Sequence, residues 1–142
     1  MTVSALMSGK GNDVISASPG NTLSEICDIL TRHRIGAVVI LDEAGALAGI
    51  VSERDIVRTV SGSGPDSLSK AVRDCMTQKV VTCSRGDTIA SVMGRMTEGR
   101  FRHMPIAEGG KIVGVISIGD VVKYRIAQAE REAEEMRTYI TS

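Results

Sequence analysis

The sequence predicts a mixed α/β (α+β) fold, built as tandem β-α-β-β-α repeats packed sheet to sheet with pseudo-two-fold symmetry and followed by a C-terminal helix. Three observations predict it. Ser18-Pro19-Gly20-Asn21-Thr22-Leu23 recurs as Ser84-Arg85-Gly86-Asp87-Thr88-Ile89, an offset of 66. Gly49-Ile50-Val51-Ser52 recurs as Gly114-Val115-Ile116-Ser117, and Asp55 as Asp120, an offset of 65. Each of these segments stands in the same order of helical stripe and paired apolar runs. The one-residue slip falls between the turns Asp42-Glu43-Ala44-Gly45 and Glu108-Gly109-Gly110, where a hairpin loop tolerates a length change.

Each repeat opens on a short β-branched run, Val14-Ile15-Ser16 and Val80-Val81-Thr82. Thr22-x-x-Glu25 is a capping box that starts a helix. Its apolar positions Leu23, Ile26, Cys27 and Leu30 follow i, i+3, i+4, i+7, and Ile89, Val92, Met93 and Met96 repeat that spacing. The runs at 37–41 and 103–107, each followed by a Gly-containing turn and a second apolar run, predict hairpins. The boundaries expected are a first repeat at 7–61, a linker at 62–71, a second repeat at 72–125 and a helical tail at 126–142. Ser61 to Ser67 reads as a surface linker. In the tail, Ile126, Ala129, Ala133, Met136 and Ile140 alternate in steps of three and four with charged flanks. Fewer than three heptads fit, so the tail is either a helix packed on its own domain or a dimer contact.

The composition excludes several classes. Seventeen basic side chains balance seventeen acidic ones, and no Trp, one Phe and two Tyr offer few stacking platforms, so no nucleic-acid partner is expected. No apolar stretch reaches the roughly 18 residues of a membrane span, so no membrane partner is expected. The segment from Met1 to Gly9 lacks the pattern of a secretory signal. A cytoplasmic location is the resulting expectation. Cys27, Cys75 and Cys83, with no CxxC spacing and only His33 and His103 as histidines, predict reduced thiols and no metal site.

The shared signature is Gly-x-x-Ser-x-x-Asp, where an apolar strand hands over to a helix. A helix start offers free amide donors and the positive end of its dipole to a phosphate. A hydroxyl can add a hydrogen bond, and an aspartate one turn in can accept two ribose hydroxyls. Ser-x-x-Asp is equally the spacing of a capping box, which would need no ligand. The second feature is Gly99-Arg100-Phe101-Arg102-His103-Met104-Pro105, whose arginines can hold a phosphate bidentately or form a solvated basic turn. The first repeat has His33-Arg34-Ile35-Gly36-Ala37 there, with Gly36 in the place of Arg102, and Arg54 is positioned to compensate.

From about Met7 to Tyr124 the chain resembles a CBS-domain pair (Bateman module), and in its Lys10-Gly11 opening and helical tail it is similar to small stand-alone bacterial members. The resemblance rests on the twin Gly-x-x-Ser-x-x-Asp motifs, on Arg102-His103-Met104-Pro105-Ile106, and on Val72-Arg73-Asp74-Cys75-Met76-Thr77. It implies a disc-like pair that often dimerises into a four-unit ring, hence a homodimer. It also implies an adenine nucleotide ligand (AMP, ADP, ATP, S-adenosylmethionine or NAD(H)) between the repeats, and no catalytic cofactor. Carried over by position, Asp55 and Asp120 would hold ribose hydroxyls, and Ser52 and Ser117 would touch phosphate or ribose. Arg100, Arg102 and His103 would neutralise phosphate. Backbone around Ser16 and Thr82 would read the adenine edge, with Ala37, Met104, Pro105 and Ile118 lining its faces. Since the clamp of Arg100, Arg102 and His103 occurs once, unequal sites are expected, with the Asp120 pocket favoured for AMP.

Two other classes compete with a nucleotide sensor. An enzyme could be assembled from Ser117, His103 and Asp120, but the first repeat has no matching histidine and no nucleophile-elbow or phosphate-loop glycine pattern occurs. A protein-interaction or dimerisation module without a physiological nucleotide would use the tail and show no response to nucleotides.

Overall fold

A helix that the hydrophobic pattern leaves unassigned begins the computed structural model, which describes residues 1–10 and 14–141, Gly9 and Lys10 by backbone alone. Gly11 of the Lys10-Gly11 opening and Ser142 at the end of the tail lie outside the described residues. This helix, α1 (Val3–Lys10), precedes β1 (Ser16–Ala17), α2 (Leu23–His33), β2 (Ala37–Leu41), β3 (Leu47–Ser52) and α3 (Glu53–Ser63). Then come α4 (Ile89–Gly99), β4 (His103–Glu108), β5 (Lys111–Ser117) and α5 (Ile118–Thr141). In the first repeat β1 runs parallel to β2 and β3 antiparallel to it. In the second, β4 and β5 form the matching hairpin, and both hairpins shift register at the same place, between Ile40 and Leu41 and between Ile106 and Ala107.

The predicted helices form for the predicted reasons. Thr22 caps α2 reciprocally with Glu25, while Thr88 caps α4 through the Ser91 amide alone. Glu25 accepts from the Thr22 backbone and hydroxyl and from Asn21, which lowers its pKa. Leu23, Ile26 and Leu30 bury the α2 stripe, and Ile89, Val92 and Met96 bury that of α4.

Alternation along the strands then divides each sheet into two faces. Val38 and Ile40 point into a first core with Leu23, Ile26, Leu30, Val51 and Ile56. Ala37 and Val39, also buried, lie on the opposite face. Met104 and Ile106 enter a second, separate core with Ile89, Val92, Met96 and Ile116, leaving His103 and Pro105 on the other side of β4. The two outer faces meet where Gly36 approaches His103. A Cβ on Gly36 would lie 3.1 Å from the His103 Nε2.

One expectation is corrected. Val80-Val81-Thr82 forms no strand: only Cys83 bridges Ile106, donating its amide to the Pro105 carbonyl (3.0 Å) while its own carbonyl accepts from Ala107 (2.8 Å). The Ser61–Ser67 stretch lies at the surface, with Ser61, Gly62, Ser63, Pro65 and Asp66 exposed, and it is structured. Helix α3 continues through Ser63, a 3-10 turn spans Pro65–Ser69, and Ser67 is buried with its hydroxyl donating to the Gly64 carbonyl (2.6 Å).

The lead-in of each repeat packs on the other repeat. Val3, Leu6 and Met7 of α1 belong to the second core, whereas Val72 belongs to the first. The hydrogen bonds match: Val3 donates to the Asp87 carbonyl and Val72 to that of Asn21, just before the α4 and α2 caps. Thr2 bridges Thr88 as Ala71 bridges Thr22. This exchange accounts for the motif glycines. A Cβ on Gly49 would sit 2.7 Å from both the Met76 Sδ and the Thr77 carbonyl oxygen, and one on Gly114 would sit 3.1 Å from the Met7 Cε. Val3-x-x-x-Met7 and Val72-x-x-x-Met76 are therefore an extension of the repeat, at an offset of 69.

Cys83 reports on the second core. Burial pushes its thiol up to about 11, with Arg95 opposing and Asp87 adding to the shift. A thiol with a raised folded-state pKa contributes stability that is complete below the unfolded value of about 8.5 and is lost as pH rises toward 11. Native protein at pH 8 is expected to carboxymethylate at half-buried Cys27 and to spare Cys83 until urea opens the fold, as peptide mass mapping would read. Equal rates at the two cysteines in native protein would contradict this burial.

Candidate functional site: two crossed clefts

Both Ser-x-x-Asp motifs form the capping box that their spacing allows. Ser52 donates its amide and hydroxyl to the Asp55 Oδ2 (2.9 and 3.1 Å), and the Asp55 amide returns to the Ser52 Oγ (3.4 Å). Ser117 and Asp120 repeat the amide bonds at 2.9 and 3.1 Å. The next amide is used as well: Glu53 donates to the Gly36 carbonyl (2.9 Å) and Ile118 to that of Arg102 (2.8 Å). The expectation of a set of free helix-start amides for phosphate is thus corrected. Of the first-turn donors, these bonds leave the Arg54 and Gly119 amides.

The cationic side chains near these helix starts cross between repeats. Helices α2 and α4 both end on an arginine in the left-handed conformation, Arg34 (φ 54°) and Arg100 (φ 57°), the two non-glycine residues with positive φ among those described. Such a conformation costs a non-glycine residue about 1–2 kcal/mol. Found twice at matched positions, it aims the following loop at the facing repeat. Arg100 and Arg102 line a cleft of about 520 Å³ with Ser52, Arg54, Asp55 and Arg58 of the first repeat, and with Lys79. Arg34 lines a second cleft, of about 340 Å³, with Ser117, Gly119, Asp120 and Lys123. Ala37 and His103 border both.

The clamp expected beside Asp120 therefore stands beside Asp55. The pseudo-two-fold places the α–β loop of one repeat over the strand–helix junction of the other. The larger cleft collects Arg54, Arg58, Lys79, Arg100 and Arg102 against Glu53 and Asp55, whereas the smaller has Arg34 and Lys123 against Asp120. Arg58 lies 3.9 Å from the Asp55 Oδ1. Gly36, read as a gap in a clamp, is the position that leaves room for the His103 ring between the clefts.

Five expected residues lie outside both linings. Met104 is fully buried in the second core, so its side chain points away from the clefts. Pro105 is buried, and its carbonyl is bonded to Cys83. Ile118 packs against the second core. The Thr82 carbonyl accepts from the Arg95 Nη1 (2.9 Å), and Ser16 pairs with Val39. Their neighbours Ile15, and Val80 with Val81, line the smaller and larger clefts respectively. Arg34, Arg58, Lys79 and Lys123 escaped the sequence reading. The signal for two of them is the repeat itself, since Arg58 and Lys123 each stand three residues after the motif aspartate.

A tandem module of two cores with two quasi-equivalent clefts between them is the class that this fold and site define. Comparison with known proteins places it within a family. The CBS domain family model matches residues 3–62 and 72–127, and the chain belongs to that family. It is 45% identical to a CBS-domain containing protein of Agrobacterium tumefaciens, whose crystal structure superposes with a TM-score of 0.86 over 88% of this chain and 99% of that one. It is 32% identical to the mitochondrial CBS domain-containing protein CBSX3 of Arabidopsis thaliana, covering 98% of this chain and 71% of that protein. The CBS domain pair of protein MJ0100, solved in complex with 5'-methylthioadenosine and S-adenosyl-L-methionine, shares the fold at 22% identity, with a TM-score of 0.81 over 90% of this chain and 98% of that one. Among the described residues no helix is long and apolar enough to cross a membrane.

Proposed function

We propose that this chain is a regulatory module that senses adenine nucleotides in its two clefts and has no catalysis of its own. The observation that carries the reading is the crossed construction of each cleft. A carboxylate fixed at a helix start by one repeat faces a left-handed arginine from the other, so ribose and phosphate are contacted only when both repeats are in place. The adenosine ligands of the MJ0100 pair support the ligand class.

Charge assigns the ligands. The larger cleft, with five cationic side chains, suits the polyphosphate of ATP or ADP, since each added phosphate charge meets a further guanidinium or ammonium group. The smaller cleft suits a ligand of lower charge such as AMP. Both volumes fall within the ordinary range of small-molecule sites. Asp55 and Asp120 hold ribose hydroxyls, and Ala37 and the His103 ring wall the space between.

Thermal denaturation with AMP, ADP, ATP, S-adenosylmethionine, NAD+ and NADH tests the proposal. A ligand at 100 times its Kd stabilises the fold by about 2.7 kcal/mol, so a clear upward shift in Tm is expected with at least one adenine nucleotide. The absence of any shift, on protein shown to be free of nucleotide, overturns the reading.

A further inference from the structure

Each loop that carries a clamp arginine serves one cleft with its side chains and the other with its backbone. Arg100 and Arg102 line the larger cleft. Yet the Arg102 carbonyl accepts the amide of Ile118 (2.8 Å), the first residue of the helix that sets Asp120 in the smaller cleft. His103, one residue on, pairs with Ser117, whose hydroxyl caps that same helix. The pseudo-two-fold repeats the arrangement with the clefts exchanged. Arg34 lines the smaller cleft, while the Gly36 carbonyl accepts the Glu53 amide (2.9 Å) and Ala37 pairs with Ser52 at the helix start that sets Asp55 in the larger. Gly36, Ala37 and His103 border both clefts, and the close approach of the His103 ring to Gly36 packs one loop on the other.

The geometry points to a reciprocal, positive coupling of the two clefts: a nucleotide in either one raises the affinity of the other, through the Arg102–Ile118 and Gly36–Glu53 backbone bonds. The inference rests on the nucleotide reading. Arg34, Arg100 and Arg102 are exposed, so a phosphate that grips them restrains segments otherwise open to solvent. Restraint of Arg102 passes through its carbonyl to the start of α5, and the Asp120 carboxylate is then held in place before its own ligand arrives. The second ligand is spared part of the ordering entropy, which shows as tighter binding. Linkage makes the effect equal in both directions. Repulsion between the two anionic ligands opposes it and is the weaker effect. Arg54, Arg58, Lys79, Arg100 and Arg102 outnumber Glu53 and Asp55 in the larger cleft and offset most of a polyphosphate's charge. Salt screens the remainder over about 10 Å. Arg102 is thus a positioning residue for the Asp120 cleft, and Gly36 for the Asp55 cleft.

Calorimetric titration of the full chain tests it. AMP binding at the smaller cleft, the step that Asp120→Asn impairs, is expected to be about fivefold tighter when ATP saturates the larger cleft. Ile118 and Glu53 each stand at the first position of a helix, where proline is well accepted, so Ile118→Pro and Glu53→Pro each delete one linking amide. Ile118→Pro is expected to lower the factor to about twofold, and the two prolines together to about one. Ile118→Ala with Glu53→Ala, which keeps both amides, should retain about fivefold. The factor is a ratio measured within each variant, so a change in basal affinity cancels. Should the double proline variant not fold, Ile118→Pro against Ile118→Ala makes the same comparison. Equal AMP affinity with and without ATP, displacement of AMP by ATP, or a factor that the proline variants keep overturns the inference alone. Failure of the parent to bind either nucleotide overturns the nucleotide reading and the inference with it.

Discussion

Replacing Arg100 and Arg102 together by alanine is expected to weaken ATP binding by about two orders of magnitude while leaving AMP binding at the smaller cleft within a few-fold. On the proposed reading, each arginine at the rim of the larger cleft supplies a charge-assisted contact to phosphate. A desolvated bond of that kind is worth about 1.5–3 kcal/mol, and partial exposure reduces it to roughly 1.4 kcal/mol, a factor of ten each. The informative comparison is with the aspartates. Because the clefts are crossed, Asp55→Asn in the first repeat should impair the same calorimetric binding step as the arginine changes in the second. Asp120→Asn should impair the other step. If the arginine changes fall on the step lost in Asp120→Asn, the crossed assignment is wrong.

Leu6→Ala should cost about 2–4 kcal/mol of stability, read as a lowered urea midpoint with unchanged slope. Leu6 stands before the first strand of the first repeat, where a sequence reading ends the domain and a truncation looks harmless. In the fold it is 6% exposed and belongs to the second core, with Val3, Met7 and Ile116. Val57→Ala is the control, because Val57 is 67% exposed and a surface change of that kind stays within about 0.5 kcal/mol. Equal costs for the two would mean that α1 does not close the second core.

Helices α2 and α4 were legible because their caps and stripes are local: Thr22 with Glu25, and leucines or methionines at helical spacing, state their structure within eleven residues. The hairpins were legible for the same reason, through short apolar runs around Gly45 and Gly109-Gly110. Helix α1 was not legible, because eight residues without caps give a weak amphipathic signal, and its burial depends on a surface more than eighty residues away. The strand expected at 80–82 failed for a related reason. Its β-branched residues favour an extended backbone, but only Cys83 comes within pairing reach of β4, while Val80 and Val81 turn to a cleft wall.

By itself the sequence determined the repeat, the helix and hairpin that each repeat shares (α2 to β3 and α4 to β5), and the two Ser-x-x-Asp turns that place a carboxylate at a helix start, since all of these rest on neighbours in the chain. Only the tertiary structure decided which arginine shares a cleft with which aspartate. The sequence offers Arg100 and Arg102 in the same repeat as Asp120, twenty and eighteen residues before it. The pseudo-two-fold carries that loop to Asp55 and brings Arg34 to Asp120 in exchange. Proximity in sequence follows covalent connectivity, whereas a cleft between two repeats is built from loops that face each other across the symmetry axis. That relation exists only once the two sheets have packed.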